Sequence, residues 1–132
     1  MNKATTPAAY MLKSAQALSS ARQLIEAGDA DGACNRAYYA MFDAARAALL
    51  ALNVRGVASA AKTHRGLIAA FGQHLVLGGH VPAELGASFN KVERLRLLAD
   101  YTGDPVSGED CAWAIEQAAA FTAAIQSLLN DF

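Results

Sequence analysis

Three groups of residues have types and spacings suited to handling a phosphate. In the run from Lys91 to Tyr101, Glu93, Arg96 and Asp100 follow one another at intervals of three and four, which places them along one side of a helix. An arginine between two carboxylates is oriented, and its planar fork matches the oxygens of a phosphate better than any other side chain. Arg94 adds a second guanidinium, and Tyr101 offers a ring that could stack on a base or a hydroxyl that could react. A second line, Arg36, Tyr39, Asp43 and Arg46, is also spaced by threes and fours. The third group, Lys62-Thr63-His64-Arg65, concentrates positive charge at an expected helix start, where free backbone N–H groups favour anions. His64 brings an imidazole, which exchanges a proton near neutral pH. Each group also has a plainer reading. Cations near a helix C-terminus complement its dipole, and an exposed ladder of charges contributes only roughly 0.3–0.5 kcal/mol per pair.

Other chemistries find no support. There is no glycine-rich phosphate loop, no G-x-S-x-G or H-E-x-x-H run and no paired-carboxylate motif. His64, His74 and His80 lack metal-ligand spacing, so neither a metal site nor a cofactor is expected. Cys34 and Cys111 stand far apart in helix-like patterns and read as buried free thiols.

The elements that must carry these residues are helices. The chain has 132 residues, 54% hydrophobic and 17% charged, with a formal net charge of −1. That is a folded chain of one ordinary domain, residues 1–132, and not a nucleic-acid binder driven by bulk charge. Alanine, the best helix former, dominates, and no run alternates with a period of two. The expectation is all-α, with five segments. The first opens at Thr6-Pro7 and ends at Gly28-Asp29. The second runs from about Asp29–Asp31 to Leu52 with the inward stripe Cys34, Tyr38, Met41, Ala45, Leu49 and Leu52, and should be central. A loop covers 53–61. The third runs from the cap Thr63 to Gly78-Gly79, the fourth starts at Pro82, and a turn at Thr102-Gly103-Asp104-Pro105 precedes a fifth capped by Ser107. Five amphipathic helices with short connections make an antiparallel four- or five-helix bundle. No stretch approaches a membrane span, and residues 1–20 carry no apolar signal core, so a cytoplasmic protein is expected.

Three segments together resemble a known family. Asn35-Arg36-Ala37-Tyr38-Tyr39-Ala40-Met41-Phe42 with Ala44-Ala45-Arg46 looks like the SRAYYAMFHAAR helix of small prokaryotic HEPN-domain proteins of the UPF0332-like kind. Lys62-Thr63-His64-Arg65-Gly66-Leu67-Ile68, then Phe71-Gly72 and His74, is similar to that group's KTHxGxxxxFG helix. Arg96 to Tyr101 with Gly103-Asp104 is similar to its R-x-x-ADYGD ending, with Thr102 inserted. The resemblance covers roughly residues 10 to 130. It implies a HEPN-like bundle, commonly a homodimer. Many such proteins are metal-independent RNases with an R-x4–6-H motif, and many pair with a minimal nucleotidyltransferase that acts as antitoxin. In some pairs a Tyr just after the motif's His receives AMP from that partner. Here Arg96 is followed by Leu97-Leu98-Ala99-Asp100, and Asp100 takes the place expected for His, while Tyr101 keeps the Tyr. An ordinary carboxylate is already ionised at neutral pH and repels phosphate, so the imidazole would have to come from His64 or His74.

The resulting expectation is a HEPN toxin-type component that binds RNA or a nucleotide at an arginine-lined site and acts as a metal-independent endoribonuclease. Arg96, Asp100, Tyr101 and His64 are the catalytic candidates, and Arg36, Tyr39, Lys62 and Arg94 the RNA- or nucleotide-binding ones. The alternative is a non-catalytic dimeric helical module that binds a nucleotide or a protein.

Overall fold

A computed structural model describes residues 6–54, 56 and 62–132. The described residues form helices α1 (Pro7–Glu26), α2 (Ala30–Ala51), α3 (His64–Phe71), α4 (Ala83–Thr102) and α5 (Gly108–Asn130), with no strand among them. This is the all-α HEPN-like bundle the sequence implies. Most of the loop expected over 53–61 lies outside the described residues.

Local chemistry sets the helix ends. The Thr6 hydroxyl accepts from Ala9 N at 3.1 Å, with Pro7 in the first turn; Asp29 accepts from Gly32 N at 2.8 Å; Ser107 accepts from Asp110 N at 3.0 Å. α4 stops at Gly103, whose φ of 74° lies in the left-handed region that glycine occupies without a Cβ penalty. One element departs from the sequence reading. The third segment does not continue as α-helix to the glycine pair. It widens after Phe71 into a π turn over Gly72–Val76, closed by Leu77 N donating to Gly72 O at 3.0 Å. Val76 then lies so close to α4 that a Cβ on Gly86 would stand 3.1 Å from its Cγ2.

α2 is the axis, and it touches every other helix. Ala33, Ala37, Ala40, Ala44, Ala45, Ala47 and Ala48 on it are all fully buried. Small side chains let neighbouring backbones approach closely. The Ser14 hydroxyl of α1, itself fully buried, donates to the Ala40 carbonyl of α2 at 2.7 Å. Larger side chains fill the other side of the bundle, where the Phe71, Phe89 and Phe121 rings meet at centroid separations of 5.1–5.8 Å. Both cysteines are buried free thiols. Burial first, and the neighbouring Cys111 second, push Cys34 up to about 12. No helix among the described residues is long and apolar enough to cross a membrane.

The α1–α2 contact predicts the response to overpacking. Ala40→Leu should destabilise the fold by about 1–3 kcal/mol. Urea denaturation should show a lower midpoint, and an unchanged midpoint would contradict an alanine-limited contact.

Candidate functional site

The site grows from two helix positions. Thr63, extended at φ −128°, caps α3 by accepting from Gly66 N at 2.9 Å, so His64 is the first helical residue. Its ring rests on α2, with centroids 5.5 Å from Tyr38, 5.7 Å from Tyr39 and 5.0 Å from Phe42. The Tyr38 hydroxyl lies 2.7 Å from His64 Nδ1 and donates to Glu93 Oε2 of α4 at 3.4 Å. Glu93 is only 7% exposed, the single buried charged residue among those described. A carboxylate can only accept. All three groups are satisfied together when Tyr38 gives its proton to Glu93 and His64 Nδ1–H donates to Tyr38. That tautomer leaves the Nε2 lone pair free.

Arg96, three residues beyond Glu93, lays its guanidinium over the Tyr38 ring, with Cζ 4.6 Å from the centroid. Its side chain is 12% exposed and its buried Nε has no partner. Nη1 reaches Asp100 Oδ2 only at 3.8 Å, and Asp100 is 66% exposed, so the pair is loose. Glu93, expected to hold Arg96 from the other side, binds Tyr38 instead.

A second guanidinium shares the same aromatic wall. Arg46 sits over Phe42 at 5.0 Å and over Tyr10 of α1 at 4.9 Å, and donates from Nη1 to the Tyr10 hydroxyl at 3.2 Å. Its Nε is also buried and unpartnered. Arg36 lies over Tyr39 at 5.1 Å. The electrostatics follow from this crowding of cations around a partly desolvated ring. Burial first, then the Arg96 charge, lowers the His64 pKa below its ordinary value; Glu93 opposes this and Arg46 adds to it. Burial and then Glu93 raise the Tyr38 pKa, so its hydroxyl stays protonated. Burial also raises the Asp43 pKa, against Arg46, Lys13 and Arg36.

The structure thus brings together His64, Arg96, Tyr39 and Arg36 from the sequence candidates, with Asp100 at the edge. Lys62 and Arg94 are exposed and Tyr101 is 87% exposed; none joins the hydrogen bonds and ring contacts around His64. Arg94 lines a shallow cleft with Lys91, Leu98 and Trp113 on another face of α4. The placing of Asp100 also needs correction. Three residues separate it from Arg96 and five from Arg94, so within an R-x4–6 spacing it belongs to the exposed Arg94. Tyr38 was missed as a site residue because it falls in the apolar stripe of α2, and Glu93 was singled out only as a partner of Arg96, not of Tyr38. The available signal was chemical: a buried tyrosine hydroxyl needs a partner. No group of three His, Cys, Asp or Glu among the described residues could hold a metal ion.

Comparison with known proteins defines the class. The HEPN domain family matches residues 8–128, and the chain belongs to it. A UPF0332 protein of Gloeobacter violaceus is 42% identical over 113 residues, covering 84% of this chain and 86% of that one. A protein of Methanocaldococcus jannaschii named as a putative toxin is 35% identical over 114 residues, covering 86% and 81%.

The lowered His64 pKa has a stability consequence. The folded state resists protonation more than the unfolded one, so the unfolded state binds more protons as pH falls below about 6.5. Stability should be complete above that value and decline as pH falls through it, down to the folded pKa. NMR titration of the His64 ring should give a midpoint below 6.5. A raised midpoint would contradict the crowding of cations around the ring.

Proposed function

We propose that this chain is the HEPN toxin-type component of a toxin–antitoxin or nucleotidyltransferase-associated system, and that it cuts RNA without a metal ion at Arg96 and His64. The observation that carries this reading is the buried, unpartnered Arg96 donor beside an imidazole that Tyr38 and Glu93 orient. A guanidinium shielded from water, with a donor unused, is suited to a phosphate oxygen. His64 replaces in space the imidazole that the sequence lacks after Arg96. The relationship to a protein named as a toxin supports the same class.

The chemistry needs one proton acceptor and one anion stabiliser. His64 Nε2 takes the proton of a ribose 2′-hydroxyl, and that oxygen attacks the adjacent phosphorus. The bond from phosphorus to the 5′ oxygen breaks, and the leaving oxygen takes a proton from water. The products are a 2′,3′-cyclic phosphate and a 5′-hydroxyl. Arg96 offsets the charge on the non-bridging oxygens, and a lowered pKa keeps His64 neutral and able to accept. Asp100 gives way at its loose contact when phosphate arrives. Tyr39 and Arg36 form the neighbouring wall, and Lys62 and Arg94 contact the strand further out. Tyr101, 87% exposed, is open to a nucleotidyltransferase partner. The active species in this proposal is a homodimer, which mass measurement in solution would read directly.

A second reading is favoured by one observation. Asp100 places a negative charge at the guanidinium that would receive phosphate. In that reading the chain is a non-catalytic dimeric module that binds a nucleotide or a protein.

Purified protein in chelator should cut RNA to cyclic-phosphate ends, and Arg96→Ala and His64→Ala should each lower the rate at least about 100-fold. Wild-type protein that binds a nucleotide and leaves RNA intact would favour the second reading. Protein that binds neither RNA nor nucleotide would end the first.

A further inference from the structure

Among the described residues, only two buried side-chain nitrogens or oxygens lack a hydrogen-bond partner, and both are arginine Nε atoms: Arg96 and Arg46. They share one surrounding. His64 rests on the Tyr38 and Phe42 rings, whose centroids are 6.0 Å apart, and each ring carries a guanidinium. Among the described residues no carboxylate lies within salt-bridge distance of Arg46; Asp43, on its own helix, is half-buried and feels the Arg46 charge from farther off. The groups facing Arg46 are Tyr10 of α1, whose hydroxyl accepts from Nη1, and Phe42. A buried cationic donor without an acceptor is costly to maintain, and stacking on two rings orients the guanidinium without using the Nε donor.

We propose that Arg46 is a second phosphate-binding group, and that Arg46 and Arg96 together hold phosphates of successive nucleotides in one RNA strand at His64. This rests on the phosphate role of Arg96 argued above and narrows the ligand. Arg46 stands eight residues, or two turns, beyond Tyr38 on α2 and folds its guanidinium back over Phe42, one turn nearer. The rings that carry the two guanidiniums have centroids 6.0 Å apart, with Arg96 Cζ 4.6 Å from one and Arg46 Cζ 5.0 Å from the other. Phosphates of neighbouring nucleotides in a flexible strand span such a gap. The phosphates of a nucleoside polyphosphate, joined through a single oxygen, sit much closer together. Tyr38 and Phe42 are themselves buried, and the half-buried Tyr39 beside His64 is the ring of this wall with surface left for a base.

The test uses a labelled 2′-O-methyl octauridylate, which cannot be cleaved, with uridine monophosphate and uridine triphosphate as the other ligands. Binding is measured across a salt series for wild type, Arg46→Gln, Arg46→Lys and Arg96→Gln. The expected result is that Arg46→Gln weakens octamer binding about tenfold and reduces the salt slope by about 0.7, while monophosphate binding is unchanged. Arg46→Lys, which keeps the charge, should retain the slope even if the lost ring stacking lowers its melting temperature. Should Arg46→Gln fail to fold, Arg46→Met, which keeps an unbranched stem against the rings and removes the charge, takes its place: octamer binding and slope unchanged in it would overturn the inference. Octamer binding and slope unaffected at Arg46 but lost in Arg96→Gln would overturn this inference alone. Triphosphate binding that depends on Arg46 as strongly as octamer binding would overturn the assignment to a strand. Wild type that binds none of the three ligands would overturn the role of Arg96 as well.

Discussion

The buried contact between Glu93, Tyr38 and His64 is the constraint on which the site depends. A carboxylate withdrawn from water is costly unless it is hydrogen-bonded and its charge is balanced. Here the Tyr38 hydroxyl supplies the bond, and Arg96, on the same face of α4, supplies a nearby charge. Tyr38 belongs to α2, His64 to α3, and Glu93 and Arg96 to α4. The three helices thus meet at one hydroxyl, and a shift of any of them leaves a buried polar group unpaired. That is why the imidazole and the guanidinium keep a fixed relation although they lie 32 positions apart in the chain.

This polar junction sits at the edge of a bundle held by apolar packing. The alanine face of α2 draws α1 close enough for a serine to reach the α2 backbone, and the phenylalanine cluster fills the space among α3, α4 and α5. Small residues on one face and aromatics on another fix the rotation of α2. That rotation points Tyr38 inward, and it turns Tyr39, Phe42 and Arg46 toward a neighbouring strip. Cation–ring stacking then orders Arg36, Arg46 and Arg96, and among the described residues the one ion pair of the three is the loose contact of Arg96 with Asp100.

The fold was largely legible in the sequence because its signals are local. Capping threonine, serine and aspartate, the glycine at 103 and the apolar spacing give five helices and a central second one. The π turn at Gly72–Val76 was not legible, since a wider turn keeps the same residue types and differs only by one hydrogen-bond register. The site was legible by halves. Charged residues at helical spacing drew attention to Arg36, Arg96 and His64. Tyr38 was read as core, which it is by burial; its hydroxyl role depends on which side chains other helices bring to it. Glu93 was read as a partner of Arg96, because spacing within a helix is visible in sequence and contacts across helices are not.

The same distinction bears on Asp100. In the one-dimensional pattern it replaces an imidazole, which suggests a site without its proton carrier. In three dimensions an imidazole, that of His64, arrives from α3, and Asp100 stands largely in solvent at Arg96. A loose, exposed carboxylate contributes little binding to the guanidinium. The departure at Asp100 is therefore no argument by itself against the proposed site, because chemistry is set by which groups meet and not by their order along the backbone.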